Sequence, residues 1–540
     1  MYDYIIIGGG SAGAVLANRL SADPQTQVLL LEAGPADRHP FIHMPGGVGQ
    51  LLKSDKLNWY FNTAPEPGLH GRRLYWPRGR VLGGSSAMNG MVYIRGHRHD
   101  YDRWAELPGC QGWRYEDVLP WFRHSQRFPE GDEQYHGHHG ELGVSNPPLE
   151  MPLFHTFLNA ANEAGYPIND DFNGPGQEGA GPYQLTIRHG VRQSTARCFL
   201  PPAVRRRPNL HILTDAHALG LLLEGTRVRG VQVAHAQRQP CFYARREVLL
   251  CAGAVQSPQL LMLSGIGEPQ ALDRHGIRVR HTLSGVGKNL QDHLDVTVQY
   301  HATSRDTLYA QTRLWRSLGA LLRYQLTHGG PAARNGLETG AFLRTSRAGA
   351  EPDIQLHFIP AFMLDHARQE APGHGLMLHA CQLRPQSRGE IGLWSADPLA
   401  PPRIQPGYLS APGDVDVLVE AIRMCRQIFA AQAFDAVRGN EYLPGAGVQS
   451  DAALADYVRR CGETIYHPVG TCRMGAADDT GAVVDAQCRV HGLEGLRVAD
   501  ASVLPNLPGG NTNAPAIMIA ERVAGWLTGQ ATPGREAGTA

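Results

Sequence analysis

Six residues near the start, Gly8-Gly9-Gly10-Ser11-Ala12-Gly13, satisfy the pattern GxGxxG directly after the apolar run Ile5-Ile6-Ile7. A loop of this kind serves phosphate binding, and its glycines have separate tasks. Gly8 allows the tight turn, Gly10 lets the backbone approach a pyrophosphate, and Gly13 lets the following helix pack closely on the strand. The free N–H groups and the positive end of that helix then face the phosphates. Glu32 stands nineteen positions after Gly13, where a carboxylate accepts both hydroxyls of a ribose. Lone glycine-rich turns are common, but one between a strand and a helix, followed by such an acid, reads as a dinucleotide site. The motif by itself does not separate FAD from NAD.

Two further runs carry chemistry. Gly79-Arg80-Val81-Leu82-Gly83-Gly84-Ser85-Ser86-Ala87-Met88-Asn89 lets the chain pass close to a flat ligand and donate backbone N–H groups, although it also suits a plain small-residue turn. Gly253 to Gly267, with Ser257-Pro258-Gln259-Leu260-Leu261 at its centre, is its companion. No histidine among the 25 stands out by spacing alone. His136, His138 and His139 have a spacing that metal ligands can use, but no cysteine or paired carboxylate completes a set. They read as a surface loop, and no metal is expected. Arg205-Arg206-Arg207 before Pro208 reads as a solvated turn. No GxSxG elbow is present, so a serine hydrolase is not supported.

The elements that must position these groups are legible from pattern. Residues 3–7 and Gln27–Leu31 read as short buried strands around a helix from Ser11 to about Leu20, a βαβ opening. Residues 105–150, rich in Trp, His, Pro and Gly, read as an irregular excursion. Val228–Val233 and Glu247–Cys251 read as strands, the second running into a helix capped by Ser257, with Pro258 in its first turn and Gly265 at its stop. A further helix is expected to begin near Pro515, and residues from Gly529 to the end are expected to be disordered. Fifty basic and fifty acidic side chains in 540 residues leave no net charge, which argues against nucleic acid as a partner. Nine scattered cysteines without a CxxC pair and no secretory pattern before Tyr2 read as a reduced cytoplasmic protein. No stretch approaches the roughly 18 apolar residues of a spanning helix, which leaves room for peripheral contact with the inner face of the cell membrane.

Together the three glycine-bearing runs resemble the signature patterns of the glucose–methanol–choline oxidoreductase family, and the likeness extends from Tyr2 to about Leu527. His467-Pro468-Val469-Gly470-Thr471-Cys472-Arg473-Met474-Gly475 resembles its active-site histidine segment, Arg497 to Ser502 its late flavin strand, and Asn511-Thr512-Asn513-Ala514-Pro515 the loop of its second catalytic residue. The choline-dehydrogenase-like branch is the most similar, and alkane-pathway alcohol dehydrogenases in particular, through Asn58-Trp59, Met91 to His97 and Glu463 to His467.

This resemblance implies an α/β (α+β overall) fold: a Rossmann-like FAD-binding domain plus a substrate domain with an antiparallel sheet flanked by helices. The FAD-binding segments are expected at 1–150, 191–294 and 464–528, and the substrate segments at 151–190 and 295–463, with a tail at 529–540. It assigns FAD to Gly8, Gly10, Ser11, Ala12, Gly13, Glu32 and Ala33 in the first motif. Arg80, Val81, Gly83, Gly84, Ser85, Asn89, Gly90, Met91 and Val92 follow in the second. Ala218, Tyr466, Asp500, Ala501, Asn511 and Thr512 come from elsewhere. Some members bind FAD covalently through a histidine just before the position of Asn89. Met88 stands there and cannot make that bond, so noncovalent FAD is expected.

His467 and Asn511 are the implied catalytic pair. Imidazole, with an ordinary pKa near 6.5, can take the hydroxyl proton of an alcohol as hydride leaves its carbon. Asn511 would hold the same oxygen, while Asn513 offers a rival role as a helix cap. The expected enzyme is an FAD-dependent alcohol dehydrogenase that oxidises a primary alcohol and passes electrons to a quinone or other acceptor. An oxidase of benzylic or furanic alcohols using oxygen, a choline dehydrogenase, a non-redox hydroxynitrile lyase and a flavin-binding protein without turnover are the alternatives.

Overall fold

The computed structural model describes residues 1–312 and 314–533. Two sheets organise the chain. In the first, the Tyr2–Ile7 strand lies parallel between Val28–Leu31 and Cys241–Leu250. Leu210–Leu213 extends this sheet beyond Val28–Leu31, and Leu496–Val498 adds a parallel strand against Cys241–Leu250. The strands 28–31 and 248–250 are apolar throughout and buried, as expected where a parallel sheet is covered on both faces. An antiparallel meander, His217–Glu224 and Arg227–Ala234, continues from Cys241–Leu250.

The second sheet is antiparallel, in the order Arg438–Leu443, Leu294–Ala302, Gly375–Gln382, Ile354–Ile359, Thr339–Leu343 and Gly179–Pro182, with Glu463–Thr464 paired to the start of Leu294–Ala302. Its central strands alternate with period two. Val296, Val298, Leu378 and Phe358 face the covering helices Pro152–Glu163 and Asp414–Ala430, where Phe358 stacks on Phe157. Asp295, Thr297, His379 and His357 face the other way, into a cavity.

The structure corrects several local expectations. The helix after Cys241–Leu250 runs Gly253–Leu263, so Ser257 and Pro258 lie inside it. Ser257 Oγ donates to Asp500 instead of capping. The backbone donor that Pro258 lacks is replaced at the Ala254 carbonyl by the Thr471 hydroxyl, at 2.6 Å. Gly265 does take the left-handed φ of +80° at the helix stop. The 105–150 excursion contains a helix at Tyr115–Ser125. His136 is buried, not on a surface loop, with Nε2 2.8 Å from Asp171 Oδ2. Of the arginine triplet only Arg206 is exposed. Arg205 clasps Asp37 at 2.9 and 3.0 Å, and Arg207 donates to the Asn18 carbonyl. The last helix begins at Asn513 rather than Pro515. Gly529 ends that helix in the left-handed region, and the rest of the expected tail, from 534, lies outside the described residues.

Candidate active site

A cavity of about 940 Å³ runs from the Gly8–Gly13 loop to His467 between the two sheets. Its glycine end is built by backbone contact. Gly8 has a φ of +102°, and a Cβ on Gly13 would collide with the Gly8 carbonyl. Gly84 approaches the Gly10 backbone so closely that a Cβ there, at 2.7 Å from Gly10 Cα, has no room. The two motifs thus touch, with the Gly83 amide donating to the Gly9 carbonyl at 2.7 Å. Two helices begin at this cavity, one at Ser11 and one at Asn513, and the Ser11 hydroxyl donates to Asn513 Oδ1 at 2.7 Å. That bond, rather than a helix cap, is the role of Asn513. Both positive helix ends therefore face the same cavity.

Glu32 accepts from the Gly9 amide at 3.0 Å and the Gly34 amide at 2.8 Å, one on each carboxylate oxygen. Each oxygen keeps a further lone pair for a ligand hydroxyl. Burial pushes its carboxyl up to about 7. Asp500 is consumed structurally by Gly253, Ser257 and Ser502. Of the residues assigned to the cofactor, Gly13, Arg80, Val81 and Gly83 do not line the cavity, and all the others do. Arg80 instead lies over the Trp59 ring, 5.0 Å from its centroid.

At the other end His467 is buried and held from three sides. Its backbone N–H donates to Asp292 Oδ1 at 2.7 Å. Its Nδ1 lies 3.0 Å from His293 Nδ1, and its Nε2 lies 3.1 Å from Asn511 Nδ2. Asn511 Oδ1 accepts from Gln355 at 3.2 Å, which orients the amide with its N–H toward His467. Asp292 also accepts from Thr464 and Tyr408, and burial raises its carboxyl to about 6. Burial, then the nearby His293, His357 and Arg78, holds His467 well below the ordinary imidazole pKa. Tyr466 takes a positive φ of 73°, with its hydroxyl on His366 and its carbonyl accepting from Arg78 at 2.7 Å.

Sequence reasoning missed Asp292, His293, Gln355, His357 and His379. For Gln355 and His357 the signal was a polar side chain at every second position of an otherwise apolar strand, Ile354-Gln355-Leu356-His357-Phe358, whereas the adjacent Asp292 and His293 and the single His379 carry no such pattern.

The fold and cavity define a two-sheet dinucleotide-binding oxidoreductase with a buried histidine beside a half-buried asparagine at the far end of the cavity. Family models described as GMC oxidoreductase match residues 2–295 and 385–520, and the chain belongs to the GMC oxidoreductase family. It is 48% identical to an alcohol dehydrogenase [acceptor] of Pseudomonas putida, over 97% of this chain and 95% of that one. It is 45% identical to a mitochondrial choline dehydrogenase of Mus musculus, over 98% and 89% of the two chains. A formate oxidase variant of Aspergillus oryzae RIB40, studied for modification of its FAD, superposes with a TM-score of 0.91 at 28% identity, covering 98% of each chain. FAD is the cofactor that fits: the backbone cradle at Gly10 and Gly84, the two helix ends and Glu32 suit its adenosine diphosphate half. These relatives give the hydroxynitrile lyase reading no support.

Proposed function

We propose that the protein oxidises a primary alcohol to its aldehyde, with His467 as general base and Asn511 positioning the reacting oxygen. The observation that carries this reading is His467 Nε2, which faces the cavity beside the Asn511 amide. When bound, FAD supplies the ring that accepts hydride. His467 Nε2 takes the hydroxyl proton as the C–H bond breaks. The hydroxyl replaces the Asn511–His467 contact: Asn511 Nδ2 gives its N–H to the substrate oxygen instead, which frees the Nε2 lone pair and fixes the oxygen beside it. Asp292 holds the His467 backbone and His293 Nδ1 holds its ring. The Pseudomonas putida relative, named for an acceptor, favours electrons passing to a quinone or similar molecule. The formate oxidase likeness favours the second reading, an oxidase using oxygen. Anaerobic addition of an alcohol panel is the test: bleaching of the flavin supports the assignment, and a flavin that no primary alcohol bleaches refutes it. Oxygen uptake during turnover separates the two acceptors.

Noncovalent FAD is supported by Met88, a buried thioether at the position where a linking histidine would stand. Strand membership supports FAD-binding segments at 1–150, 191–294 and 464–528 and substrate segments at 151–190 and 295–463.

Peripheral contact with a membrane face is supported by the Leu314–Thr327 helix. It exposes Leu318, Leu321, Leu322 and Leu326, spaced along one face. Among the described residues no helix is long and apolar enough to cross a membrane. This one packs against the Leu308–Thr312 turn, whose Leu308 lines the cavity, so contact there would bring a lipid-soluble acceptor near.

A further inference from the structure

The antiparallel sheet turns a polar face to the cavity. Asp295, Thr297 and Gln299 of one strand, His379 of the next and His357 of the third all line it. Strand register sets Thr297, His379 and His357 side by side. His379 Nδ1 is bonded to Asp295 Oδ2, and its Nε2 is buried with no partner among the described residues. His357 Nδ1 and Gln299 Oε1 are buried and unpartnered in the same way. Gln299 Nε2 is spent on Thr297 Oγ1 at 2.9 Å. Leu337, Ile359, Phe362 and Met363 line the same cavity and are apolar.

The patch discriminates among alcohols. A hydrocarbon tail against it would leave three buried polar atoms stranded, which is strongly disfavoured. A quaternary ammonium needs a free carboxylate or open aromatic faces. The Asp295 carboxylate is engaged by His379, and the Tyr75 ring carries the Arg368 guanidinium 4.2 Å from its centroid. The Trp59 ring carries the Arg80 guanidinium 5.0 Å from its centroid, and Phe362 makes T-shaped ring contacts with His301 and Tyr442. Gln299 Oε1 accepts only, and His379 Nε2 accepts while its Nδ1 proton goes to Asp295. Each takes a hydrogen-bond donor, and an O–H supplies one without bringing a charge into the cavity.

We propose that this face binds a second hydroxyl of the substrate, making α,ω-diols the preferred alcohols. The proposal rests on the alcohol-oxidising reading above. Thr297 and its neighbours lie four residues along the strand from His293, whose ring touches His467. At ~3.3 Å of extended backbone per residue that is about 13 Å from His293, and about 7 Å from Gln355, the partner of Asn511, to His357 two positions along its strand. The two hydroxyls are therefore several bonds apart, as in hexane-1,6-diol, rather than on adjacent carbons.

The test compares kcat/KM for hexane-1,6-diol and heptan-1-ol, which have equal numbers of heavy atoms, using the FAD-loaded enzyme and an artificial acceptor. The expected result is a preference for the diol of at least about tenfold, because a site built to bond a hydroxyl rejects an analogue lacking it. His357→Leu, which breaks no bonded pair, and Gln299→Leu should each shrink that preference several-fold. Equal or better turnover of heptan-1-ol by the wild type overturns the proposal while leaving alcohol oxidation standing. Choline or 6-aminohexan-1-ol outcompeting the diol also overturns it, since the patch would then bind a cation. Oxidation of none of these alcohols defeats the functional reading itself, and the proposal with it.

Discussion

His293 and His467 face each other through their Nδ1 atoms, 3.0 Å apart, while His293 Nε2 lies 3.1 Å from the Leu383 carbonyl. A carbonyl only accepts, so His293 carries its proton on Nε2. Burial holds the His293 pKa down to about 3, so the ring is neutral and its Nδ1 is a bare acceptor. His467 must then donate from Nδ1, which leaves Nε2 as the lone pair facing Asn511. One backbone carbonyl thereby sets the tautomer of the proposed base through an intervening ring. His293→Phe removes that control. We expect kcat to fall more than KM changes, by less than the ~10⁴-fold that a wrong tautomer costs a serine protease. Single-turnover kinetics at several pH values checks this, because a merely loosened structure would raise KM as well.

His467→Ala should lower turnover by about 10²–10⁴-fold, the usual contribution of a general base, with FAD still bound. Asn511→Ala should cost less, because it removes one oriented hydrogen bond rather than the proton acceptor. Anaerobic stopped-flow reduction checks both. A His467→Ala protein that is reduced at the wild-type rate would disprove the base assignment.

Activity should rise with pH as His467 loses its proton, with a midpoint below the ordinary imidazole value of about 6.5. The sign follows from burial, which penalises the imidazolium first and most, and from the nearby Arg78 guanidinium, whose positive charge adds to that penalty. A kcat/KM profile already level at neutral pH is the expected outcome. A limb with its midpoint above 7 would contradict the buried setting.

Acid precipitation should release intact FAD into the supernatant, because Met88 offers no nitrogen for a covalent link. Flavin absorbance that stays with the washed pellet would contradict this.

Leu322→Glu with Leu326→Glu should weaken sedimentation with anionic vesicles, since both side chains lie exposed on one helix. Turnover with a water-soluble acceptor should remain. Unchanged sedimentation of the double variant would remove the membrane assignment from this helix.

Much of this protein was determined by the sequence alone. Local steric and hydrophobic rules placed Tyr2–Ile7, Ser11–Leu20 and Val28–Leu31, because a buried parallel strand must be apolar throughout and Gly8 and Gly13 admit no side chain. Family motifs marked His467 and Asn511. The helix start at Gly253 was not legible, since what frees Ser257 and Pro258 from capping duty is the arrival of Asp500 and Thr471 from more than two hundred residues away. His136 looked like a surface residue until Asp171 and Gln126 enclosed it. The histidine patch was hidden for a similar reason: His357 and His379 lie 22 positions apart and become neighbours only through strand register. Only the tertiary structure decided the tautomer of His467, because it depends on a carbonyl at Leu383 and a ring at His293 that chain order does not bring together. Periodicity and steric exclusion act over a few residues and can be read in order along the chain. Hydrogen bonds between distant strands depend on how the sheets close around the cavity, and that closure fixes the chemistry.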